Sequence, residues 1–191
     1  MQPHNAGRRQ QGLPVVVSEA EVREMVARLS AEIARDHPDD EVLYVVAIMK
    51  GALMFLADLV RHLTMPIEIE LVNARSYQGT QRQSEVEILD DVASLPIAGR
   101  HVLLLDCVLD SGETLAALRR QVSARAPASL KTCVLLSKAR ERTTDLRPEY
   151  VGRTIPDVFV VGYGLDCGNR WRHLPYVAQL PPDRASEGEA R

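Results

Sequence analysis

Two aspartates, Asp106 and Asp110, flank a short apolar step in the stretch HVLLLDCVLDSGETLAAL, residues 101–118, and a Ser-Gly-Glu-Thr run follows the second of them. An apolar run that ends in an acidic turn and then opens into helix-forming residues puts the turn where a strand stops and a helix starts. The first amides of a helix lack partners within it, and together they cradle an anion. Gly112 lets the backbone approach such an anion closely; Ser111 and Thr114 add hydroxyl donors, and Glu113 lies between them in the same turn. The arrangement suits one phosphate monoester. The turn carries neither GxxxxGK[ST] nor GxGxxG, so a Walker loop and a dinucleotide site are both disfavoured. Carboxylates beside a phosphate repel it unless they have other partners, and the natural ones are sugar hydroxyls and a magnesium ion. Phosphate, ribose and Mg²⁺ together describe a phosphorylated sugar. A lone D-S-G-x-T would be an ordinary capped helix start; the apolar strand and acidic turn ahead of it make the pattern more specific.

The rest of the chain supplies elements to hold that turn. Ser18 with Glu21 forms a capping box, and Val22, Met25, Val26, Leu29 and Ile33 recur at helical spacing, which predicts a helix over 19–35. Residues 41–49, EVLYVVAIM, form a near-continuous apolar run, as a strand buried on both faces does. An apolar helix is expected over 51–63, a strand over 66–74, a long polar loop over 75–85 and a resumed strand at VEIL. Further strands are expected at 101–106, 131–138, 157–165 and 176–180, with a helix from Gly112 to Ala124. Strands alternating with helices predict a doubly wound, mostly parallel α/β sheet, whose ligands sit outside the carboxyl ends of the strands. One domain over 15–180 is expected, with flexible ends at 1–14 and 181–191.

Bulk properties exclude several classes. With 191 residues, 46% hydrophobic and 26% charged, the chain has the composition of a soluble globular domain. A formal net charge of −3 gives no push toward nucleic acid. No run is apolar enough to span a membrane, and the arginines near the N-terminus are not followed by a signal-peptide core. Cys107, Cys133 and Cys167 are odd in number and widely spaced, which argues against a disulfide framework or zinc site and for a reducing cytoplasm.

The turn DCVLDSGET resembles the signature of the phosphoribosyltransferases: two acidic residues at a strand end, two apolar residues, then Asp, Thr or Ser, Gly, any residue and Thr. Three further stretches narrow the resemblance to hypoxanthine-guanine phosphoribosyltransferases, over roughly residues 15–180. IMKGALMF is similar to the first loop of that family, in which Lys50 and Gly51 would meet diphosphate and the Met49–Lys50 peptide would be cis. RSYQGT is similar to its mobile loop, with Ser76 and Tyr77 closing over substrate. LLSKAR and PDVFVVGYGLDCGNRWRHLPYV are similar to its purine pocket. There the resemblance implies that Lys138 donates to the purine O6, Phe159 stacks on the base, the backbone around Val160 reads the 2-position, Asp166 holds a metal and Arg172 binds diphosphate. Read singly, these residues are bland: Phe159 and Val160 core strand residues, Lys138 a solvated strand end, Arg172 a surface charge.

The resemblance implies a type I phosphoribosyltransferase-like fold with a small hood, Mg²⁺ as cofactor, and 5-phosphoribosyl 1-diphosphate plus a 6-oxopurine as substrates. It also implies a homo-oligomer, dimer or tetramer, with the apolar helix 51–63 as a plausible interface. Asp110 is the expected general base, and Asp106 the ribose and metal ligand. The chain departs from the signature at Cys107, where the second acidic residue belongs. A thiol accepts hydrogen bonds weakly, so a lost ribose contact worth about 1–3 kcal/mol is expected, with the thiol itself a small apolar filler under the turn rather than a reactive group. Cys107→Asp is accordingly expected to lower the KM for the sugar substrate. Three alternatives accompany this reading: a xanthine-preferring enzyme, a catalytically weakened binding or regulatory protein, and an RNA-binding regulator of the same fold, the last disfavoured by a sequence pI of about 6.0.

Overall fold

The computed structural model describes residues 12–38, 40–77, 85–142, 144–182 and 184, with the backbone alone at 75–77 and 85–87. Along the chain run β1 (Val15–Val17), α1 (Glu19–Arg35), β2 (Leu43–Met49), α2 (Leu53–Val60), β3 (Ile67–Tyr77), β4 (Glu85–Ile88), β5 (His101–Leu109), α3 (Glu113–Ser123), β6 (Ser129–Lys138), β7 (Tyr150–Ile155), β8 (Val160–Val161) and β9 (Val177–Gln179). The main sheet has the order β4-β3-β2-β5-β6-β7, parallel throughout except for the β3–β4 hairpin. A second sheet, β1-β9-β8, is antiparallel and forms the hood.

Strand alternation divides the core. Leu43, Val45 and Ala47 of β2 and Leu103, Leu105 and Cys107 of β5 face α1 and α2. Tyr44, Val46 and Ile48 with Val102 and Leu104 face α3, which presents Leu115, Leu118 and Val122. Both faces are covered by helices, as apolar parallel strands require. The α1 capping box forms as its sequence indicates: the Ser18 hydroxyl accepts the Glu21 N–H, and the Glu21 carboxylate accepts the Ser18 N–H at 2.8 Å. The hood has its own small core of Val161, Leu174, Tyr176, Ala178 and Leu180, which Leu13 joins, while Pro14 accepts a hydrogen bond from Gln179. All three cysteines are free and buried.

Two expectations are corrected. The fifth parallel strand is β7, not 157–165. Its sequence, YVGRTI, carries Gly, Arg and Thr, and it pairs only with β6, so an edge strand with mixed polarity stood where no apolar run announced it. Residues 157–165 cannot form a continuous strand, because Gly162, Tyr163 and Gly164 adopt positive φ of 99°, 50° and 94° and turn the chain back into the hood. Only Val160 and Val161 keep strand geometry there. The predicted loop 75–85 is also partly regular: β3 runs through Tyr77 and pairs antiparallel with β4.

Candidate active site

The carboxyl ends of β2, β5 and β6, with the hood segment after β7, meet at one edge. β5 delivers Asp106, which lines a small cavity of about 70 Å³ together with Val108, Leu109, Asp110, Ser111, Gly112, Thr114 and Leu115. Asp106 lies among strand residues. Burial raises its pKa to about 7, opposed by hydrogen bonds from the Cys107 and Val108 N–H groups. The bond from Cys107 N to Asp106 Oδ1 is 2.7 Å.

Gly112 is the N-cap of α3, with φ 84° and ψ −3°, a left-handed conformation that glycine adopts without steric penalty. The first intrahelical bond runs from Ala116 N to Gly112 O, so the amides ahead of it lie at the open end of the helix. Ser111 Oγ accepts the Glu113 N–H at 3.4 Å, which leaves its own proton to donate. Thr144, from the segment between β6 and β7, covers this turn; its Oγ1 is buried without a partner among the described residues. A Cβ on Gly112 would stand 2.6 Å from that oxygen.

Asp110 is held at both oxygens. Lys138 Nζ bonds Oδ2 at 2.5 Å and Arg140 Nη1 bonds Oδ1 at 2.6 Å. Burial works to raise the Asp110 pKa, but the two cations outweigh it and hold the carboxyl below its ordinary value. Both cations also face Asp157, each at 3.8 Å. Lys138 is not a solvated strand end: the residue is only 8% exposed. Phe159 is not a core residue but 49% exposed, an unusual position for an aromatic ring, whereas Val160, on the hood strand β8, is buried against the main core.

The first loop reaches this edge from β2. The Met49–Lys50 peptide is cis, as expected, and Lys50 is exposed. A Cβ built on Gly51 would lie 3.9 Å from Asp106 Oδ1, so the loop and the β5 turn are neighbours. Gly164 closes the same corner from the hood: a Cβ there would be 2.3 Å from the Gly51 carbonyl oxygen. Arg172 is folded onto its own loop, bonding Gly164 O at 2.6 Å and pairing with Asp166 Oδ1 at 2.7 Å. The side chains of Ser76 and Tyr77, and residues 78–84, lie outside the described residues.

Cys107 sits on the opposite face of β5 from Asp106, as neighbours on a strand must. It is fully buried and its Sγ lies 3.7 Å from the Tyr163 carbonyl oxygen. Burial pushes its thiol pKa far up. The thiol therefore fills space under the turn rather than acting as a reactive group. Arg140, Asp157 and Thr144 were not anticipated. Asp157 lies within the PDVF run and Arg140 two residues after Lys138, but only the fold sets Arg140 against Asp110 and Asp157 against the two cations.

No three His, Cys, Asp or Glu side chains converge on a common point among the described residues. That donor set does not cage a cation. It does fit Mg²⁺ carried by a phosphate-bearing substrate, since Mg²⁺ keeps several waters and takes only one or two protein carboxylates.

Comparison with known proteins agrees with this geometry. Residues 18–167 match the phosphoribosyl transferase domain. The chain is 39% identical over 168 residues to a hypoxanthine phosphoribosyltransferase of Salmonella typhimurium, covering 87% of this chain and 94% of that protein. It is 37% identical over 169 residues to a hypoxanthine-guanine phosphoribosyltransferase of Bacillus subtilis, covering 88% and 93%. The crystal structure of a hypoxanthine-guanine phosphoribosyltransferase from Bacillus anthracis superimposes with a TM-score of 0.81 at 38% identity, covering 87% of this chain and 98% of that one.

Proposed function

The chain belongs to the phosphoribosyltransferases, in the branch of hypoxanthine and hypoxanthine-guanine enzymes, and from that premise we infer that it serves purine salvage. It transfers the 5-phosphoribosyl group of 5-phosphoribosyl 1-diphosphate to hypoxanthine or guanine, giving IMP or GMP and diphosphate. One observation carries this reading: a single strand, turn and helix sets Asp106 and Asp110 beside the open amides of α3, with Lys138 bonded to Asp110 at 2.5 Å. A phosphate holder, a ribose acceptor and a purine-reading cation thus share one edge.

In this reading the amides and hydroxyls of 111–114 hold the 5-phosphate. Asp106 accepts from the ribose hydroxyls. Lys50 and the Gly51 backbone meet the diphosphate, with Ser76 and Tyr77 closing over it. Lys138 donates to O6 and selects a 6-oxopurine, because an ammonium has donors and no acceptor. Phe159 offers its exposed ring to the base, and the backbone at Val160 reads position 2. Asp110 accepts the N7 proton. The electron pair stays on the purine, N9 bonds to ribose C1, and the C1–oxygen bond breaks to release diphosphate. The C1 centre gains oxocarbenium character, which the Asp110 charge also steadies. One Mg²⁺ met by Asp106 and a second held by Asp166, each with substrate oxygens, would neutralise charge on the leaving diphosphate. Arg172 joins that end of the site by orienting Asp166 and by reaching diphosphate itself.

The protein acts as a homo-oligomer, dimer or tetramer, in the cytoplasm. Exposed Leu53 and Met54 on α2 support the first point, and three free buried cysteines fit the second. Among the described residues no helix is long and apolar enough to cross a membrane. Product nucleotide is to be measured with hypoxanthine, guanine and xanthine, each with 5-phosphoribosyl 1-diphosphate and Mg²⁺. IMP and GMP formation well above XMP formation is expected. Absence of nucleotide from every base would refute the reading and leave a binding protein.

A further inference from the structure

Asp110 carries the proton in the reading above, yet its side chain is 43% exposed and so not held by packing. Its orientation comes from charge. Lys138 fixes Oδ2 from the end of β6, and Arg140 fixes Oδ1 from the segment just beyond. Asp157, after β7, faces both cations at 3.8 Å, and Asp106, from β5, lines the same cavity as Asp110. Glu113 stands in the first turn of α3. Nearby Arg142 is engaged elsewhere, by Ser137 Oγ and the Lys138 carbonyl.

We propose that Arg140 is a positioning residue for the reaction: its guanidinium sets the plane of the Asp110 carboxylate while Lys138 turns to the purine, and Asp157 then serves as the counter-ion for both cations. This rests on Asp110 being the base. When Lys138 donates to O6 it loosens its bond to Asp110, and a carboxylate held at one oxygen by one flexible ammonium would be free to rotate. A planar guanidinium on the other oxygen keeps the second lone pairs aimed at the ring N–H. Asp157 lies within reach of the displaced ammonium, so the nearly buried Lys138 never stands without a negative partner.

The test compares Arg140→Ala, Arg140→Lys and Asp110→Asn with the full-length enzyme, using hypoxanthine and 8-azahypoxanthine, whose ring N–H is more acidic. Arg140→Ala is expected to lower kcat with hypoxanthine about tenfold while the KM for 5-phosphoribosyl 1-diphosphate changes less than twofold. The deficit should shrink with 8-azahypoxanthine, which asks less of the base, and Arg140→Lys should recover part of the rate. Should the alanine variant not fold, the lysine variant carries the same two-base comparison. A wild-type kcat in Arg140→Ala, or an equal deficit with both bases, overturns the proposal. An Asp110→Asn enzyme of wild-type kcat instead removes the base assignment, a result separable from failure at Arg140.

Discussion

Gly112→Ala tests the phosphate turn by geometry alone. The residue holds φ at 84°, and a left-handed conformation costs an L-residue about 1–2 kcal/mol. The new Cβ would stand 2.6 Å from Thr144 Oγ1, where ordinary contact begins at 3.4 Å, so about 0.8 Å must be found. Thr144 can yield by an off-rotamer χ1, at a cost of about 0.5–1.5 kcal/mol. The sum is about 1.5–3.5 kcal/mol. If the turn keeps its shape, the cost falls on folding, and a melting temperature lower by roughly 3–14 °C is expected for a chain of this size. If the turn relaxes, the amides leave their places and the cost falls on substrate, as a rise of about 10- to 300-fold in the KM for 5-phosphoribosyl 1-diphosphate. Thermal unfolding and steady-state kinetics on one preparation measure both. Thr144→Ala in the same background removes the clash and leaves the strained φ, so it should return only part of the loss. A Gly112→Ala protein with wild-type melting temperature and wild-type KM would refute the reasoning.

Two further outcomes follow from single positions. At Cys107, replacement by Asp would set a carboxylate 0% exposed against the Tyr163 carbonyl, on the face away from Asp106; a loss of about 3 kcal/mol or more in urea unfolding is expected, without the lower KM that a restored ribose contact would bring. At Glu21, the Ser18 N–H, the Arg153 guanidinium and the Ser18 hydroxyl hold the pKa down to about 2 from an ordinary 4.5. A depressed carboxyl stabilises the fold above its unfolded pKa and loses that contribution as pH falls through the folded one. Glu21→Gln should therefore narrow its stability gap from the parent between pH 4.5 and pH 2, and a constant gap across that window in melting curves would contradict the capping account.

How legible the protein was in its sequence differed from element to element. The apolar runs of β2, β5 and β6 announced buried parallel strands because both their faces are covered, and the Ser18–Glu21 pair announced α1 because the capping box is local. β7 stayed hidden because an edge strand tolerates Arg153 and Gly152; the latter is required for space, since a Cβ there would meet Leu135 O at 2.2 Å. The run FVV read as a strand because periodicity does not register three consecutive positive φ values after it. In the site, Asp110 and Gly112 in one turn and Lys138 at the end of the next strand were legible as neighbours from chain order, and strand alternation sets residues 106 and 107 on opposite faces. Arg140 and Asp157 were not legible, because the contact of Arg140 with Asp110 and of Asp157 with Lys138 and Arg140 depends on the ends of β6 and β7 lying side by side.

The buried cysteines carry a practical consequence. Cys107 and Cys133 lie at 0% exposure with thiols made less acidic by burial, and Cys167 is 7% exposed. Thiolates are the reacting species in alkylation, so the native fold is a silent background for maleimide or nitroxide reagents. One engineered surface cysteine, for instance at an outward position of α1, would take a fluorophore at a single address.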